Sequence, residues 1–245
     1  MSSQQTIEQF KSLRLTGMAE AFAHQLGNPA FIDIGFEQRV QMLVEAEWAK
    51  RDTQRYERLI KAGKLRVQAA PEDIDYRSSR GLEKAKVADL LTNQWIRHHR
   101  NVLLTGATGT GKTWLACAVA VNAARYGISI LYQRAAIMLE AMAIAHETGD
   151  IEKVRNQYAR PQLLILDDFG LVGLIQRHKT DLLELVERRA EGSTIVAGQM
   201  PVGKWHEYIG DPAVADAIMD RLVYSSVKIE LKGESLRKTR GKPGG

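Results

Sequence analysis

Eight residues constrain this chain more than any others: "GATGTGKT", Gly106–Thr113, set between the apolar runs "NVLL" and "WLACAVAVNAA". Three glycines in so short a stretch let the backbone curl until successive N–H groups face one point. The spacing G-x-x-x-x-G-K-[ST] adds a cation and a hydroxyl where a helix begins, and a helix N-terminus itself favours an anion. Such a loop needs a strand before it and a helix after it, and the flanks supply both. The segment is expected to cradle phosphate. Gly106, Ala107, Thr108, Gly109, Thr110 and Gly111 would do so by backbone, Lys112 by its charge on the β- and γ-phosphates, and Thr113 through a hydroxyl on Mg²⁺.

A second segment completes that expectation. In "LLILDD" (Leu163–Asp168) four apolar residues read as a buried strand, with two carboxylates at its C-terminal end, where open α/β sheets place their ligands. Asp167 is expected to hold Mg²⁺, directly or through water, and Asp168 to orient and deprotonate an attacking water. Gln199, closing "STIVAGQ", is placed to touch the γ-phosphate or that water. A metabolite kinase would use the same loop, but it needs an acceptor pocket and a lid against water. With "NVLLT" (Asn101–Thr105), "ISILYQ" (Ile128–Gln133) and "SVKIEL" (Ser226–Leu231), these β-rich runs alternate with helical stretches. That pattern predicts an α/β fold whose central parallel sheet is covered on both faces.

The N-terminal part has another period. In "FEQRVQMLVEAEWAKRDTQRYERLIKAGKL" apolar residues recur at three- and four-residue steps, a helix that Gly63 ends. A small helical domain is expected over residues 1–70, and the nucleotide domain over 71–245, with "AAPEDIDYRSSRGLEKAK" as the crossing. Between Lys50 and Arg66 seven basic residues face two acidic ones. Acids to pair with them are scarce there, so Lys50, Arg51, Arg55, Arg58, Lys61 and Lys64 are expected to track a duplex DNA backbone. The whole chain is only mildly basic, +5 with a pI near 9.3, which by itself does not decide for nucleic acid. One cysteine, Cys117, allows no internal disulfide and suits a reducing compartment. No signal-peptide core and no run of 18 apolar residues is present, so no membrane span and a cytoplasmic location are expected.

Taken in order, the strand, the glycine loop, "LLILDD", "TIVAGQMPVGKWHEYIGDPAVADAIMDRL" and "KIELKGESLRK" resemble one family. The chain is similar to IstB-like AAA+ ATPases, the helpers encoded beside the transposase in bacterial insertion sequences and relatives of the DnaC helicase loaders. The resemblance runs from Phe36 to Lys238. It implies ATP as the nucleotide, Mg²⁺ as its metal, ATP-dependent homo-oligomers on duplex DNA, remodelling of that DNA, and a transposase as partner. Carried over by position, Arg221 in "DRL" matches an arginine that reaches the nucleotide of the next subunit, with Arg188 and Arg189 as rivals. Arg237 in "GESLR" matches one acting within its own subunit. The chain departs from the pattern at Asp168, where many AAA+ hydrolases carry Glu; the missing methylene shortens the reach by roughly 1.5 Å. It departs again at Gln199, where Asn is more general. Little sequence follows "GESLRK", so no helical lid domain is expected. Competing expectations are a helicase loader and a nucleotide-gated DNA scaffold without turnover.

Overall fold

A computed structural model describes residues 2–76 and 81–233. The chain divides into two compact units after Arg58, inside a helix and not in the Pro71-containing crossing.

The first unit is helical. Helix α1 (Ser3–Ser12) opens with a reciprocal capping box between Ser2 and Gln5, and α2 (Thr16–Gly27) and α3 (Phe36–Gly63) follow. No side chain of its own N-cap residue caps α2; instead Glu47 of α3 accepts the N–H groups of Gly17 and Met18 at 2.7 and 3.2 Å. Burial opposes ionisation of Glu47, but the Arg51 guanidinium and those two amides together hold its pKa below the ordinary value. The helices approach so closely that a Cβ on Gly17 would lie 2.7 Å from the Ala46 carbonyl oxygen. Leu43 and Glu47 face inward, whereas Phe36, Val44 and Trp48 are exposed, so much of the apolar stripe legible in the sequence of α3 turns outward.

The second unit is built on a sheet. In chain order come α4 (Lys84–Leu91), α5 (Gln94–Arg97), β1 (Val102–Gly106), α6 (Lys112–Arg125), β2 (Ile130–Arg134), α7 (Ala135–Thr148) and α8 (Ile151–Ala159). They continue with β3 (Leu163–Phe169), α9 (Gln176–Arg188), β4 (Ser193–Gly198), α10 (Trp205–Ile209), α11 (Pro212–Val223) and β5 (Val227–Leu231). The five strands are parallel in the order β2-β3-β4-β1-β5, and each β-rich run of the sequence forms one of them. Alternate residues enter opposite faces. Leu103, Leu131, Leu164, Leu166 and Val196 pack with Met138, Met142, Leu182 and Ile218 from the helices of one side. The other side receives α6, whose Ala116, Ala118, Ala120 and Ala123 are fully buried and let the helix lie close to the strands. No helix among the described residues is long and apolar enough to cross a membrane.

This order brings the C-terminal ends of β3, β4 and β1 side by side, so the acid pair, Gln199 and the glycine loop emerge along one rim.

Candidate functional site

The glycine loop leaves β1 through backbone that only glycine tolerates. Gly106 has φ +141 and Gly111, the N-cap of α6, has φ +94. A Cβ on Gly106 would meet the Leu231 carbonyl oxygen at 2.2 Å, so the loop starts in direct contact with the end of β5. Lys112 is buried and curls over its own loop, its Nζ donating to the carbonyls of Gly106 and Ala107 at 2.7 and 2.8 Å. Burial lowers its pKa, and Asp167 and Asp168 act against that shift. The cation therefore stands over the curl of N–H groups.

Thr113, in the first turn of α6, donates its hydroxyl to Asp167 Oδ2 at 2.7 Å, which joins the loop to the end of β3. Tyr132 of β2 donates to the same oxygen at 2.7 Å. Burial first, then Asp167, keep the Tyr132 phenol far from ionising. In a regular strand Asp167 and Asp168 would point to opposite faces. Here the pairing of β3 with β4 slips between Leu166 and Phe169, and Asp168 takes a left-handed φ of +56. Bulges re-aim side chains in this way. Both carboxylates reach one guanidinium: Arg66 Nη1 lies 3.8 Å from Asp167 and 3.4 Å from Asp168. Arg134 Nε stands 3.8 Å from Asp168.

The bulge is braced from behind by the motif "WHEYIGDP". Phe169 packs on Trp205 with ring centroids 4.7 Å apart and on Tyr208 at 5.6 Å. Gly210 closes α10 in the left-handed region, and Asp211 caps α11 with Pro212 at its first turn. The most distinctive words of the sequence thus hold the segment that aims the acids.

Gln199 is exposed and lines a cavity of about 910 Å³ together with Thr105, Gly106 and Ala107. The far wall comes from Leu82–Val87 and from β5, so part of the expected crossing is site wall, with Leu82 and Val87 buried. Sequence reasoning missed this wall, along with Tyr132, Arg134 and Arg66. The apolar spacing of Leu82, Val87 and Leu90 was the available signal for the first. For the other three nothing local marks the contact.

Arg221 is elsewhere. Its carbonyl accepts from Asn101, just before β1, whereas the glycine loop follows the far end of that strand, roughly 16 Å away at strand rise. Its guanidinium is part-exposed and pairs with Glu187 at 3.1 Å. Arg189 is buried and spent on structure: its N–H groups bond the carbonyls of Tyr158, Ala159, Pro161 and Ser193 and the Thr194 hydroxyl, and burial pushes its pKa down to about 10. Arg188 is held by Glu152 and Glu184. Arg237 lies outside the described residues.

The basic stripe finds more acids than its own segment offers. Lys50 pairs with Glu20 at 2.6 Å, Arg51 with Glu47 at 2.7 Å and Arg55 with Asp52 at 2.6 Å. Among the described residues Arg58, Lys61 and Lys64 are exposed and have no carboxylate partner.

A metal at Thr113 and Asp167 would find one hydroxyl and one carboxylate, and among the described residues no group of three or more His, Cys, Asp or Glu is arranged to cage one. That hard-oxygen donor set fits Mg²⁺, which takes few protein ligands and completes its shell with phosphate and water.

The family model described as IstB-like ATP binding protein matches residues 8–243. An insertion-sequence ATP-binding protein of Sinorhizobium fredii is 41% identical over 241 residues, covering 98% of both chains. Another, of insertion sequence IS1162 in Pseudomonas fluorescens, is 43% identical over 203 residues, covering 82% of this chain and 88% of the relative. Among solved structures, AMPPCP-bound DnaA from Aquifex aeolicus superposes with a TM-score of 0.59 at 22% identity, covering 71% of this chain and 53% of that one. A DnaC helicase loader gives 0.56 at 16%, covering 67% and 97%. At such identities the likeness is one of fold, the AAA+ arrangement that the strand order already displays. With the glycine loop, the acid-ended strand and the Trp205–Asp211 brace all inside the matched span, the chain belongs to the IstB-like ATP-binding proteins.

Proposed function

We propose that this protein is an ATP-hydrolysing helper of transposition: it assembles on duplex DNA in its ATP-bound form, remodels that DNA, and recruits and activates a partner transposase in the cytoplasm. The observation that carries the ATPase part is the Thr113–Asp167 bond, which ties the glycine loop to the acid pair at one rim of the sheet. Family membership supports ATP as substrate and an insertion sequence as the setting.

Loop amides and Lys112 bind and orient the triphosphate, the lysine trading its two carbonyl partners for phosphate oxygens. Thr113 and Asp167 would hold Mg²⁺, which when bound would supply charge neutralisation to the phosphates. Asp168 accepts a proton from the attacking water as its oxygen bonds to the γ-phosphorus and the bond to the bridging oxygen breaks, releasing ADP and phosphate. Gln199 fixes that water or the γ-phosphate. Arg221 is too far from its own loop, so its role is on the nucleotide of a neighbouring subunit, while Arg237 is assigned to its own. Residues 1–70 carry DNA contacts and part of the assembly surface, and residues 71–245 form the ATPase. The DNA contacts are Lys50, Arg51, Arg55, Arg58, Lys61 and Lys64.

One set of turnover and assembly measurements tests this. Lys112→Ala loses nucleotide-dependent assembly on duplex DNA. Asp168→Asn retains ATP and DNA but loses hydrolysis. Arg221→Ala binds ATP with turnover reduced roughly 10³-fold, as for other arginines acting in trans, and mixing it with Lys112→Ala restores part of the rate. Wild-type assembly by Lys112→Ala, or no recovery in mixtures shown to co-assemble, refutes the corresponding assignment.

A further inference from the structure

The proposed proton acceptor is not free. Arg66, in the segment that follows the end of α3 at Gly63, reaches Asp168 Oδ2 at 3.4 Å and Asp167 Oδ2 at 3.8 Å, and Arg134 approaches the same Asp168 oxygen. The Tyr132 hydroxyl joins the cluster through its 2.7 Å bond to Asp167 Oδ2, and the proximity of Tyr132 first, then of the two acids, raises the pKa of the Arg66 guanidinium. The segment is seated on α6, where the backbone amides of Val67 and Arg66 contact the Cys117 sulfur one turn beyond Thr113. Arg66 donates to Oδ2 and Arg134 stands beside it, so a water approaching that oxygen competes with two guanidinium groups. Lys64, two residues earlier, holds a left-handed φ of +50, and Lys61 and Lys64 are exposed. A change at these lysines is therefore carried along a very short piece of chain to Arg66.

We propose that Arg66 is a latch on Asp168: while its guanidinium holds the carboxylate, water activation is suppressed, and binding of backbone phosphate at Lys61 and Lys64 withdraws it. Arg66 is a positioning residue, acting through Asp168. The proposal rests on Asp168 being the base, and the test keeps the two apart.

Single-turnover hydrolysis of labelled ATP is measured without DNA and with saturating duplex DNA. Without DNA, Arg66→Gln hydrolyses roughly fivefold faster than wild type, the rate equivalent of about one part-exposed ion pair. Its KM for ATP is unchanged. Arg66→Lys, which keeps the charge but cannot span both carboxylates, is accelerated less. DNA brings wild type up to the Arg66→Gln rate and adds nothing to Arg66→Gln. Should Arg66→Gln fail to fold, as judged by binding of a non-hydrolysable ATP analogue, Arg66→Lys provides the same comparison. A rate for either folded variant equal to or below wild type overturns the latch, as does full DNA stimulation of Arg66→Gln. Wild-type hydrolysis by Asp168→Asn instead removes the base on which the latch depends; loss of hydrolysis in Arg66→Gln/Asp168→Asn supports the base, and the latch stands or falls on the Arg66 variants alone.

Discussion

Asp168 occupies backbone that few side chains accept. Its φ of +56 lies in the left-handed region, where Asp and Asn are tolerated because a short polar side chain bonds locally, and longer or branched residues are disfavoured. This gives a physical reason for Asp in a place where many related hydrolases carry Glu: the bulge that turns both carboxylates to one side also selects the shorter acid. Asp168→Ala should then be less stable than Asp168→Asn by about 1 kcal/mol, since alanine has no local bond to offset left-handed strain. Urea denaturation of the two variants measures the difference, and equal midpoints at equal slope would mean that the bulge relaxes without an acid. The paired acids were legible in the sequence, but their convergence was not, because period-two alternation sends neighbours apart. Tyr132 and Arg134 were hidden for a related reason. Their contact with the acids depends on β2 lying beside β3, a fact of strand order that no local pattern encodes.

At the scale of elements, α3 carries two stripes whose fates differ from their appearance. Its apolar residues suggested a buried face, yet the contact with α2 is made through Gly17 and Ala46, with Glu47 as a cap from the neighbouring helix. Its basic residues suggested an unpaired face because the acids in the same segment are few. Glu20 from α2 and Glu47 from four residues upstream supply part of the shortfall. The members free to release counterions are Arg58, Lys61 and Lys64. Replacing these three by Gln should make the log–log salt dependence of duplex binding shallower by up to ~2.7, about 0.9 for each phosphate that is no longer neutralised. The same change at Lys50, Arg51 and Arg55 should have a smaller effect, since each already neutralises a carboxylate. Salt titrations of DNA binding at fixed nucleotide compare the two sets with wild type, and wild-type slopes for both would locate the DNA surface elsewhere.

For the molecule as a whole, the sequence announced its strands but not their neighbours. Each apolar run became a strand, and β4 then settled between β3 and β1, which sets Gln199 between the acids and the loop. On the other side of β1 lies β5, and Gly106 has no side chain because the Leu231 carbonyl fills its place. This contact has a consequence in time. The glycine loop is complete once Thr113 has been made, but the strand against which it is moulded is translated more than a hundred residues later. At 5–20 residues per second that is a delay on the order of ten seconds. Chains stopped at Ser226 should therefore pass through immobilised ATP unretained, whereas chains carried through Gly233 should be held; retention of the shorter chain would show that the loop shapes itself. Retention of the longer chain alone would make nucleotide capture a late event in the life of each molecule, one that follows the seating of the fifth strand.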